Sequence, residues 1–340
     1  MSADLLDLTV DESLRHQMSA MEARLRAVLH DTDHRMITDR ATHLIEAGGK
    51  RLRPLLALLG ARFGEPEPPG AVDAAVITEL IHVATLHHDD VMDAAPVRHG
   101  VATASCLWGN NLAVLLGDLL LARAAELGVE LGAHLGGERG VEALRLQAAT
   151  LARLVRGQLL ETVPVRDADT DTGDPMAHCV EVMADKTASL IAMALELGAV
   201  VAGAADEHRA ALARCGEALG IAFQIGDDVI DIATPAVDSG KTPGTDLREG
   251  VRTVPVLYAL RGTDLAAGRL RALLATGAVT DPDRHAEALT LLRRSAGVEL
   301  ARVDVHRYAE RARRELATLP PSPARATLDE LCDYVTARTV

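Results

Sequence analysis

Apolar residues recur every three or four positions along almost the whole chain. The first such series is Leu14, Met18, Met21, Leu25 and Val28. This spacing puts the apolar side chains on one face of an α-helix. Thr9 and Glu12 stand just before the series at the spacing of a capping box, which predicts that the first helix begins there. Because alternating apolar and polar runs are scarce, the pattern predicts an all-α protein.

Helix-breaking residues cluster at four places, and we interpret these as loops between helices. They are residues 64–70, 163–175, 235–244 and 320–323. A chain of 340 residues could hold two domains, but no shift in composition marks a boundary. We therefore predict a single domain over residues 1–340, with residues 1–30 as an N-terminal helix.

The core must be mainly aliphatic, because hydrophobic residues make up 48% of the chain and aromatic residues only 2%. The net charge of −14 and the lack of a basic cluster argue against a nucleic-acid-binding protein. The four cysteines are scattered and match neither a disulfide framework nor a zinc site. An acidic start and charges inside the apolar stretches argue against an export signal and a membrane span. We therefore expect a cytoplasmic protein.

Lysine occurs only at Lys50, Lys186 and Lys241, although the chain has 35 basic residues. Lys50 follows Gly49 in the basic segment Gly-Gly-Lys-Arg-Leu-Arg-Pro of residues 48–54, and Lys186 precedes Thr187. A lysine ammonium is a compact charge, unlike the planar fork of arginine, and suits a phosphate that already binds metal ions. These contexts indicate phosphate binding. The alternative is a coding bias towards arginine that left three lysines by chance.

The same aspartate pattern occurs twice, late in two apolar helical segments. The first aspartate motif is Asp89-Asp90-Val91-Met92-Asp93, and the second aspartate motif is Asp227-Asp228-Val229-Ile230-Asp231. Positions one and five of each motif lie one turn apart on one helix face, where like charges repel. A magnesium ion shared with a phosphate would balance that repulsion. Both aspartate motifs are therefore candidate magnesium sites.

A polar stripe leads to the first aspartate motif. It consists of Thr78, His82, Thr85, Asp89 and Asp93, which follow one face of a helix. Such a stripe either faces solvent or lines a polar cavity in a helical bundle, and the basic segment at 48–54 favours the cavity. His82 would then point towards a bound diphosphate. His87 and His88 lie off the stripe, and we expect them to pack or to form local hydrogen bonds.

Two carboxylate clusters, a few basic groups and an apolar bundle suit the ionisation of an organic diphosphate. Metal ions and ammonium groups stabilise the charge on departing pyrophosphate. An apolar pocket then shelters the carbocation from water. The chain has no GxSxG, HExxH, Walker or GxGxxG motif, which argues against nucleophilic, zinc-dependent and nucleotide chemistry.

From about residue 30 to the C-terminus, the chain resembles the trans-isoprenyl diphosphate synthases, or polyprenyl synthetases. The matching pieces are residues 48–54, 79–82, 89–93, 98, 157–158, 186–187, 223–231, 240–241 and 246–247. The resemblance implies an all-α orthogonal bundle around a deep central cavity and a homodimer. It also implies head-to-tail condensation of an allylic diphosphate with isopentenyl diphosphate, and dependence on magnesium, with three ions when substrate is bound.

The resemblance also implies roles for individual residues. Lys50, Arg53 and His82 would surround the diphosphate of isopentenyl diphosphate. Arg98, Lys186, Thr187, Gln224 and Lys241 would surround the allylic diphosphate. Asp89, Asp93 and Asp227, with Asp90 and Asp231 close by, would hold magnesium ions that bridge to the allylic group. The released pyrophosphate would accept the proton, so no side chain is required as a general base.

Two positions depart from the family pattern. His99 stands where a second arginine is usual after Arg98, which predicts weaker or pH-dependent binding of isopentenyl diphosphate. Val251 stands where lysine is usual, and Arg252 beside it would point elsewhere in a helix, so the allylic site lacks one cation. Because both aspartate motifs and all three lysines are present, we still predict an active enzyme, with raised Michaelis constants or altered substrate choice.

Product length depends on the space beside the first aspartate motif. Ala84 and Thr85, five and four residues before Asp89, would border the growing chain. A bulky aromatic residue stops growth early in this family, so the small pair predicts an all-trans product of medium or long chain. Residues 119–121, three leucines on a neighbouring segment, would close the end of the cavity that holds the growing chain. The alternatives are a product of farnesyl or geranylgeranyl length, and an Ala84 that merely packs against another helix.

Two other functions stay open. A non-catalytic subunit that binds prenyl diphosphates or a catalytic partner would explain His99 and Val251, but it would not need two clusters of like charges. A terpene cyclase shares the helical architecture and an aspartate-rich motif. The basic segment at 48–54 and the second aspartate motif favour a synthase.

Overall fold

The computed structural model describes residues 11–30, 33–162, 173–233, 243–275 and 277–339. Of these described residues, 79% are helical, and the only β-structure among them is a hairpin of two short strands. The all-α prediction is therefore confirmed. Within the same ranges, no helix combines the length and the apolar character that crossing a membrane requires.

The elements follow one another along the chain as a succession of helices. The first part contains α1 (Glu12–Val28), α2 (Arg35–Ala41), α3 (His43–Glu46), α4 (Leu52–Gly60), a 3-10 turn (Ala61–Phe63), α5 (Ala71–Met92), β1 (Val97–Arg98), β2 (Val101–Ala102), α6 (Ala104–Trp108), α7 (Asn110–Leu135) and α8 (Gly137–Thr162). The second part contains α9 (Pro175–Met183), a π turn (Ala184–Ala188), α10 (Ser189–Val201), α11 (Asp206–Ala233), α12 (Thr245–Glu249), α13 (Val254–Leu260), α14 (Leu265–Leu274), α15 (Pro282–Arg294), α16 (Gly297–Leu316) and α17 (Pro323–Ala337).

The first helix begins close to the predicted position, but its cap differs from the prediction. Helix α1 starts at Glu12, and the Asp11 carboxylate accepts a hydrogen bond from the N–H of Leu14 at 2.7 Å. Asp11 is thus the N-cap, and the expected capping box with Thr9, which lies outside the described residues, is wrong. A carboxylate one residue before the helix reaches the free N–H groups of the first turn directly.

The predicted loops are confirmed where the structure describes them. Residues 64–70 connect the 3-10 turn to α5, and residues 320–322 connect α16 to α17. The other two predicted loops fall largely outside the described residues, at 163–172 and 234–242.

Contacts divide the chain into two compact units. Unit 1 contains residues 1–152, 190–216 and 318–328. Its centre is α5, which packs against α1, α4 and α7. Val76, Ile77 and Leu80 of α5 are completely buried, in agreement with the expected aliphatic core. Because α5 carries the first aspartate motif at its C-terminal end, this packing fixes the direction in which the motif leaves the core.

Unit 2 contains residues 153–189, 217–317 and 329–340. Helix α13 packs against α9 and the three helices α14 to α16. The Tyr258 hydroxyl on α13 donates a hydrogen bond of 2.7 Å to the carboxylate of Asp304 on α16, which is only 6% exposed. A buried carboxylate needs such a partner. The C-terminal part of α11, which carries the second aspartate motif, belongs to this unit.

Candidate active site

The polar stripe on α5 runs from the core to the surface. Thr78 is completely buried, His82 is partly exposed and Asp93 is exposed. The Thr78 hydroxyl donates to the carbonyl oxygen of Ala75, and the Thr85 hydroxyl donates to that of His82, each at 2.8 Å. Neither hydroxyl hydrogen is left for a ligand. The polar contacts of the stripe therefore come from its histidine and its two aspartates.

Arg51 in the basic segment is a buried anchor, a role that the sequence analysis missed. It has a left-handed backbone conformation directly before α4, with a φ of 49°. Its guanidinium donates to Glu22 at 2.6 Å, to Glu79 at 2.8 Å and to the carbonyl oxygen of Ile45 at 2.9 Å. The side chain is only 9% exposed. Arg51 thus joins α1, α3 and α5, while Lys50 beside it stays exposed.

Cationic side chains gather around His82. Burial lowers the pKa of His82 well below 6.5, and the charges of Arg53, His99, Arg51 and Arg98 lower it further. The imidazole is therefore neutral near pH 7. The structure brings Arg53, His82, Arg98 and His99 together within unit 1, although they come from three separate segments. Such a concentration of positive charge attracts phosphate groups.

A two-residue turn presents Arg98 and His99. The strands pair Val97 with Ala102 and Arg98 with Val101. The turn consists of His99 and Gly100, with φ of 51° and 80°, which is typical of a type I′ hairpin. Burial, followed by the charges of Arg98 and Arg51, lowers the pKa of His99. His99 is therefore neutral near pH 7 and does not replace the charge of an arginine.

The first aspartate motif has one inward and two outward carboxylates. Asp90 is 1% exposed, and its Oδ1 accepts from Arg98 through Nε at 2.9 Å and a terminal nitrogen at 2.7 Å. Its Oδ2 is buried and has no hydrogen-bond partner among the described residues. Asp89 is partly exposed and Asp93 is exposed. The motif therefore presents Asp89 and Asp93, while Asp90 holds Arg98.

The middle residue of the second aspartate motif is also buried. Asp228 is 4% exposed, and it accepts from the Gln224 amide at 3.3 Å and from the N–H of Val254 at the start of α13. Burial, followed by the negative charge of Asp246, raises the pKa of Asp228 well above 3.8. Its Oδ2 is buried without a hydrogen-bond partner among the described residues. Asp228 is thus a protonated acid under conditions in which an exposed aspartate is charged.

The outer carboxylates of the second aspartate motif have different partners. The oxygens of Asp231 accept from the N–H groups of Thr245, at 3.2 Å, and Asp246, at 3.4 Å, so they cap α12. Asp227 forms an ion pair with Arg338, whose guanidinium lies 4.3 Å from the centre of the Phe223 ring. The sequence analysis missed Arg338, because no local pattern connects it with a carboxylate 111 positions away.

Lys186 and Thr187 lie in the π turn between α9 and α10. The Lys186 ammonium forms an ion pair with Glu161 on α8. The Thr187 hydroxyl donates to the Gln224 amide oxygen at 3.1 Å. The structure therefore links Thr187 to Gln224, and Gln224 to Asp228 of the second aspartate motif. Lys241, the remaining candidate for the allylic group, lies outside the described residues.

The described residues contain no group of three or more histidine, cysteine, aspartate or glutamate side chains that could hold a metal ion. Magnesium usually takes one or two carboxylates from a protein and fills its other positions with water and phosphate oxygens. The two outward carboxylates Asp89 and Asp93 fit that donor set. Asp227 fits it as well once Arg338 is displaced.

The two departures from the family pattern lie in turns. Val251 is 37% exposed, and its N–H donates to the carbonyl oxygen of Asp246 at 2.9 Å. The segment is not helical, so the helical argument for the direction of Arg252 does not apply.

The histidines off the stripe behave as expected. His87 is 1% exposed and packs in the core, where burial first, and then the charges of His88 and His43, lower its pKa to about 4. His88 Nε2 lies 3.3 Å from the Val114 carbonyl oxygen. Of the product-length candidates, Ala84 is completely buried and Thr85 is partly exposed. The burial of Ala84 is compatible with both interpretations of that residue.

Comparisons with known proteins identify the family of the chain. Residues 34–292 match the family model described as polyprenyl synthetase. The chain is 44% identical over 336 residues to the nonaprenyl diphosphate synthase of Mycobacterium tuberculosis, covering 98% of this chain and 96% of that protein. A solved decaprenyl diphosphate synthase from Rhodobacter capsulatus is 34% identical, with a TM-score of 0.84, and the match covers 97% of this chain and 98% of that chain.

A geranylgeranyl pyrophosphate synthase from Corynebacterium glutamicum, solved with calcium and isoprenyl diphosphate, is 40% identical, with a TM-score of 0.83 and coverage of 98% of this chain and 99% of that chain. The solved relatives thus include both short and long products. The all-α fold, the matched residues and the level of identity together establish that the chain belongs to the polyprenyl synthetase family.

Proposed function

We propose that this chain is a prenyltransferase that condenses an allylic prenyl diphosphate with isopentenyl diphosphate head to tail. It would release pyrophosphate and make an all-trans polyprenyl diphosphate of medium or long chain. The observation that carries the proposal is on α5. His82 lies near the guanidinium groups of Arg51, Arg53 and Arg98, and Asp89 follows seven residues later, roughly 10 Å along the helix. A group suited to anion binding and a group suited to cation binding thus lie on one helix face.

Isopentenyl diphosphate would bind at the cationic groups of unit 1. Arg53 and Lys50 supply charge, and neutral His82 supplies one hydrogen bond. Arg51 would act indirectly, because its guanidinium is already used by Glu22 and Glu79. His99 would contribute a hydrogen bond rather than a charge, since its pKa is lowered.

The allylic diphosphate would bind between carboxylate-held ions and the basic groups of unit 2. Asp89, Asp93 and Asp227 would hold magnesium, with three ions when substrate is bound. Asp90 and Asp231 would lie close to these ions, with one oxygen of Asp90 held by Arg98 and the oxygens of Asp231 bonded to backbone N–H groups. Lys186, Thr187, Gln224 and Lys241 would complete the site, and Arg98 would hold both Asp90 and the diphosphate.

The reaction would begin when the allylic C–O bond ionises. Bound magnesium supplies neutralisation of the charge on departing pyrophosphate. Lys186 and Thr187 stabilise the same charge by hydrogen bonds that strengthen as the bond breaks. The double bond of isopentenyl diphosphate then attacks the allylic cation, and a proton is lost to pyrophosphate. The neutral state of His82 is compatible with this scheme, because no side chain has to accept that proton.

Product length would depend on α5. Ala84 and Thr85 are small, so neither would stop a growing chain. Ala84→Phe is expected to shorten the product by one or more isoprene units, measured by mass spectrometry. Because Ala84 is completely buried, thermal unfolding of the variant must accompany the assay. A stable variant with an unchanged product distribution would contradict the role of Ala84.

We also propose that the chain forms one synthase domain, and that the protein is a cytoplasmic homodimer. The support for the dimer is an exposed apolar face on α7. Leu115 is 61% exposed and Val129 is 59% exposed. Exposed apolar patches of this kind are typical of protein interfaces. Sedimentation velocity of the purified chain tests the dimer, and a monomer at micromolar concentration would contradict it.

The decisive experiment is an incubation of the purified chain with isopentenyl diphosphate and each allylic diphosphate from five to twenty carbons. Magnesium is added to one series, and EDTA to the other. The proposal expects pyrophosphate release and products lengthened by five-carbon steps, only with magnesium. Pyrophosphate release without isopentenyl diphosphate would indicate a cyclase. No release with any allylic substrate would indicate a non-catalytic subunit.

A further inference from the structure

We propose that Arg153 and Arg156 are positioning residues that hold the π turn so that Lys186 and Thr187 point at the allylic diphosphate. This inference rests on the proposed function. A π turn is rare and inserts one extra residue into a helix, which usually has to be stabilised by surrounding contacts. Here it covers Ala184–Ala188 and therefore contains both candidate diphosphate ligands.

The carboxylate of Asp185, the second residue of the turn, is the point at which the turn is held. Arg153 Nε donates to Asp185 Oδ1 at 2.8 Å, and Arg156 donates to Oδ2. The Asp185 side chain is 1% exposed. Burial acts to raise the pKa of Asp185, but the hydrogen bonds and charges of the two arginines outweigh burial and lower that pKa. The carboxylate is thus charged and held from both sides.

Two glycines allow neighbouring helices to approach the backbone of the turn. A Cβ atom on Gly157 of α8 would lie 2.5 Å from the backbone nitrogen of Lys186. A Cβ atom on Gly220 of α11 would lie 2.5 Å from the Cα atom of Ala188. Any side chain at either position would therefore clash with the turn. Gly157 lies one residue after Arg156 and one turn after Arg153, so a single face of α8 supplies the glycine and both arginines.

The arrangement separates the residue that anchors the turn from the residues that bind ligand. Asp185 interacts with α8, whereas the Thr187 hydroxyl donates to Gln224 on α11. The Asp185 carbonyl oxygen accepts from the Ser189 hydroxyl at 2.6 Å, which gives the altered backbone a local partner. Loss of the Asp185 interactions would let the turn relax towards a regular helix. That relaxation would rotate Lys186 and Thr187 away from their present directions.

The test compares Arg153→Gln, Arg156→Gln and Asp185→Asn with wild type. Each variant is expected to raise the KM of the allylic diphosphate about 10- to 100-fold, with the KM of isopentenyl diphosphate changed less than about two-fold. Arg156→Lys should restore part of the loss. Arg269→Gln is the matched control, since Arg269 is 55% exposed, as against 59% for Arg156, and its guanidinium also forms an ion pair within unit 2, with Glu287. It should change neither KM.

Two further measurements separate positioning from stability. Calorimetry measures the affinity for an S-thiolo analogue of farnesyl diphosphate, which binds without being turned over. This affinity should fall in the three variants. The double variant Arg156→Gln/Lys186→Gln should bind the analogue almost as tightly as Lys186→Gln alone, because the arginine acts through that lysine.

Equal increases in both KM values, or a lower melting temperature with both KM values unchanged, would overturn the inference. If wild type binds the analogue but forms no product, the proposed activity fails while the variants still test the positioning role through affinity.

Discussion

The two aspartate motifs have the same spacing but different surroundings. In each motif the middle carboxylate is buried, with Asp90 at 1% and Asp228 at 4% exposure. Asp90 faces the guanidinium of Arg98, whereas Asp228 faces an amide, a backbone N–H and the negative charge of Asp246. Asp93 is exposed, whereas the corresponding Asp231 caps α12. Helical spacing thus determines which carboxylate is buried, and the neighbouring segments determine its charge and its role.

Because the surroundings of the two motifs differ, their carboxylates have different roles. In the first motif, Asp89 and Asp93 are the proposed metal ligands. In the second motif the proposed ligand is Asp227, which is paired with Arg338. Asp228 and Asp231 instead accept hydrogen bonds from backbone N–H groups at the starts of α13 and α12. The second motif is therefore part of the scaffold through two of its three carboxylates.

The largest expected effect is the loss of a metal-binding carboxylate. Asp89→Asn and Asp227→Asn should each lower kcat/KM by about 100- to 1000-fold, because each removes charge that stabilises the departing pyrophosphate. The concentration of magnesium needed for half-maximal rate should also rise. Steady-state kinetics over a magnesium titration provide the measurement. If Asp227→Asn retains wild-type kinetics, the second motif does not bind metal and the proposed ligand set is wrong.

The second prediction concerns the middle carboxylates and uses each as the control for the other. Asp90→Asn should cost about 2 kcal/mol of unfolding free energy, because it leaves Arg98 without its partner in a mostly buried pair. Asp228→Asn should cost less than about 0.5 kcal/mol at mildly acidic pH, because the pKa of Asp228 is raised well above 3.8 and the change then replaces a protonated acid with a neutral amide. Urea unfolding of both variants and wild type checks the contrast. Equal losses would mean that Asp228 is charged.

The raised pKa of Asp228 also predicts the direction in which the stability of the fold changes with pH. An acid whose folded pKa lies above its unfolded value of 3.8 stabilises the fold fully below pH 3.8. That stabilisation is lost as pH rises through the folded pKa. Wild type should therefore lose stability relative to Asp228→Asn when pH rises from 4 towards 8. If the difference in unfolding free energy between wild type and Asp228→Asn stays constant over this range, the raised pKa is contradicted.

Much of this site could be predicted from the sequence because it depends on local spacing. The helical period of α5 placed His82 and Asp89 on one face, and the flanking residues identified Lys186 and Thr187 as a unit. The partners that decide each role come from distant positions. Arg338 pairs with Asp227 from the end of the chain, and Thr245 binds Asp231 from the next helix. No periodicity reports such contacts, nor does it report the π turn at Ala184–Ala188.

The third prediction separates metal binding from capping at Asp231. Asp231→Asn should keep nearly full activity, because the side-chain oxygen of asparagine can still accept a hydrogen bond from the N–H groups of Thr245 and Asp246. Asp231→Ala should cost about 1 kcal/mol of stability through the loss of the cap on α12. The comparison with Asp227→Asn, which removes a charge from the same motif, is the control. A loss of activity in Asp231→Asn as large as that in Asp227→Asn would restore Asp231 to the list of metal ligands.

The smallest expected effects come from the two departures from the family pattern, one in each unit. His99→Arg should lower the KM of isopentenyl diphosphate by about three- to ten-fold near pH 7.5, since an arginine adds a permanent charge beside Arg53 and His82. Because the pKa of His99 is lowered below 6.5, wild type gains that charge only at lower pH. The advantage of the variant should therefore shrink as pH falls below about 6.

Val251→Lys places the matching charge in unit 2 and should act on the other substrate. Val251 is partly exposed in the turn between α12 and α13, so a lysine can be accommodated without burial. We expect the KM of the allylic diphosphate to fall by about three-fold while the KM of isopentenyl diphosphate is unchanged, as a solvent-screened charge contributes less than about 1 kcal/mol. If His99→Arg and Val251→Lys alter the same KM, the two units do not bind separate diphosphates, and the division of tasks between the aspartate motifs has to be redrawn.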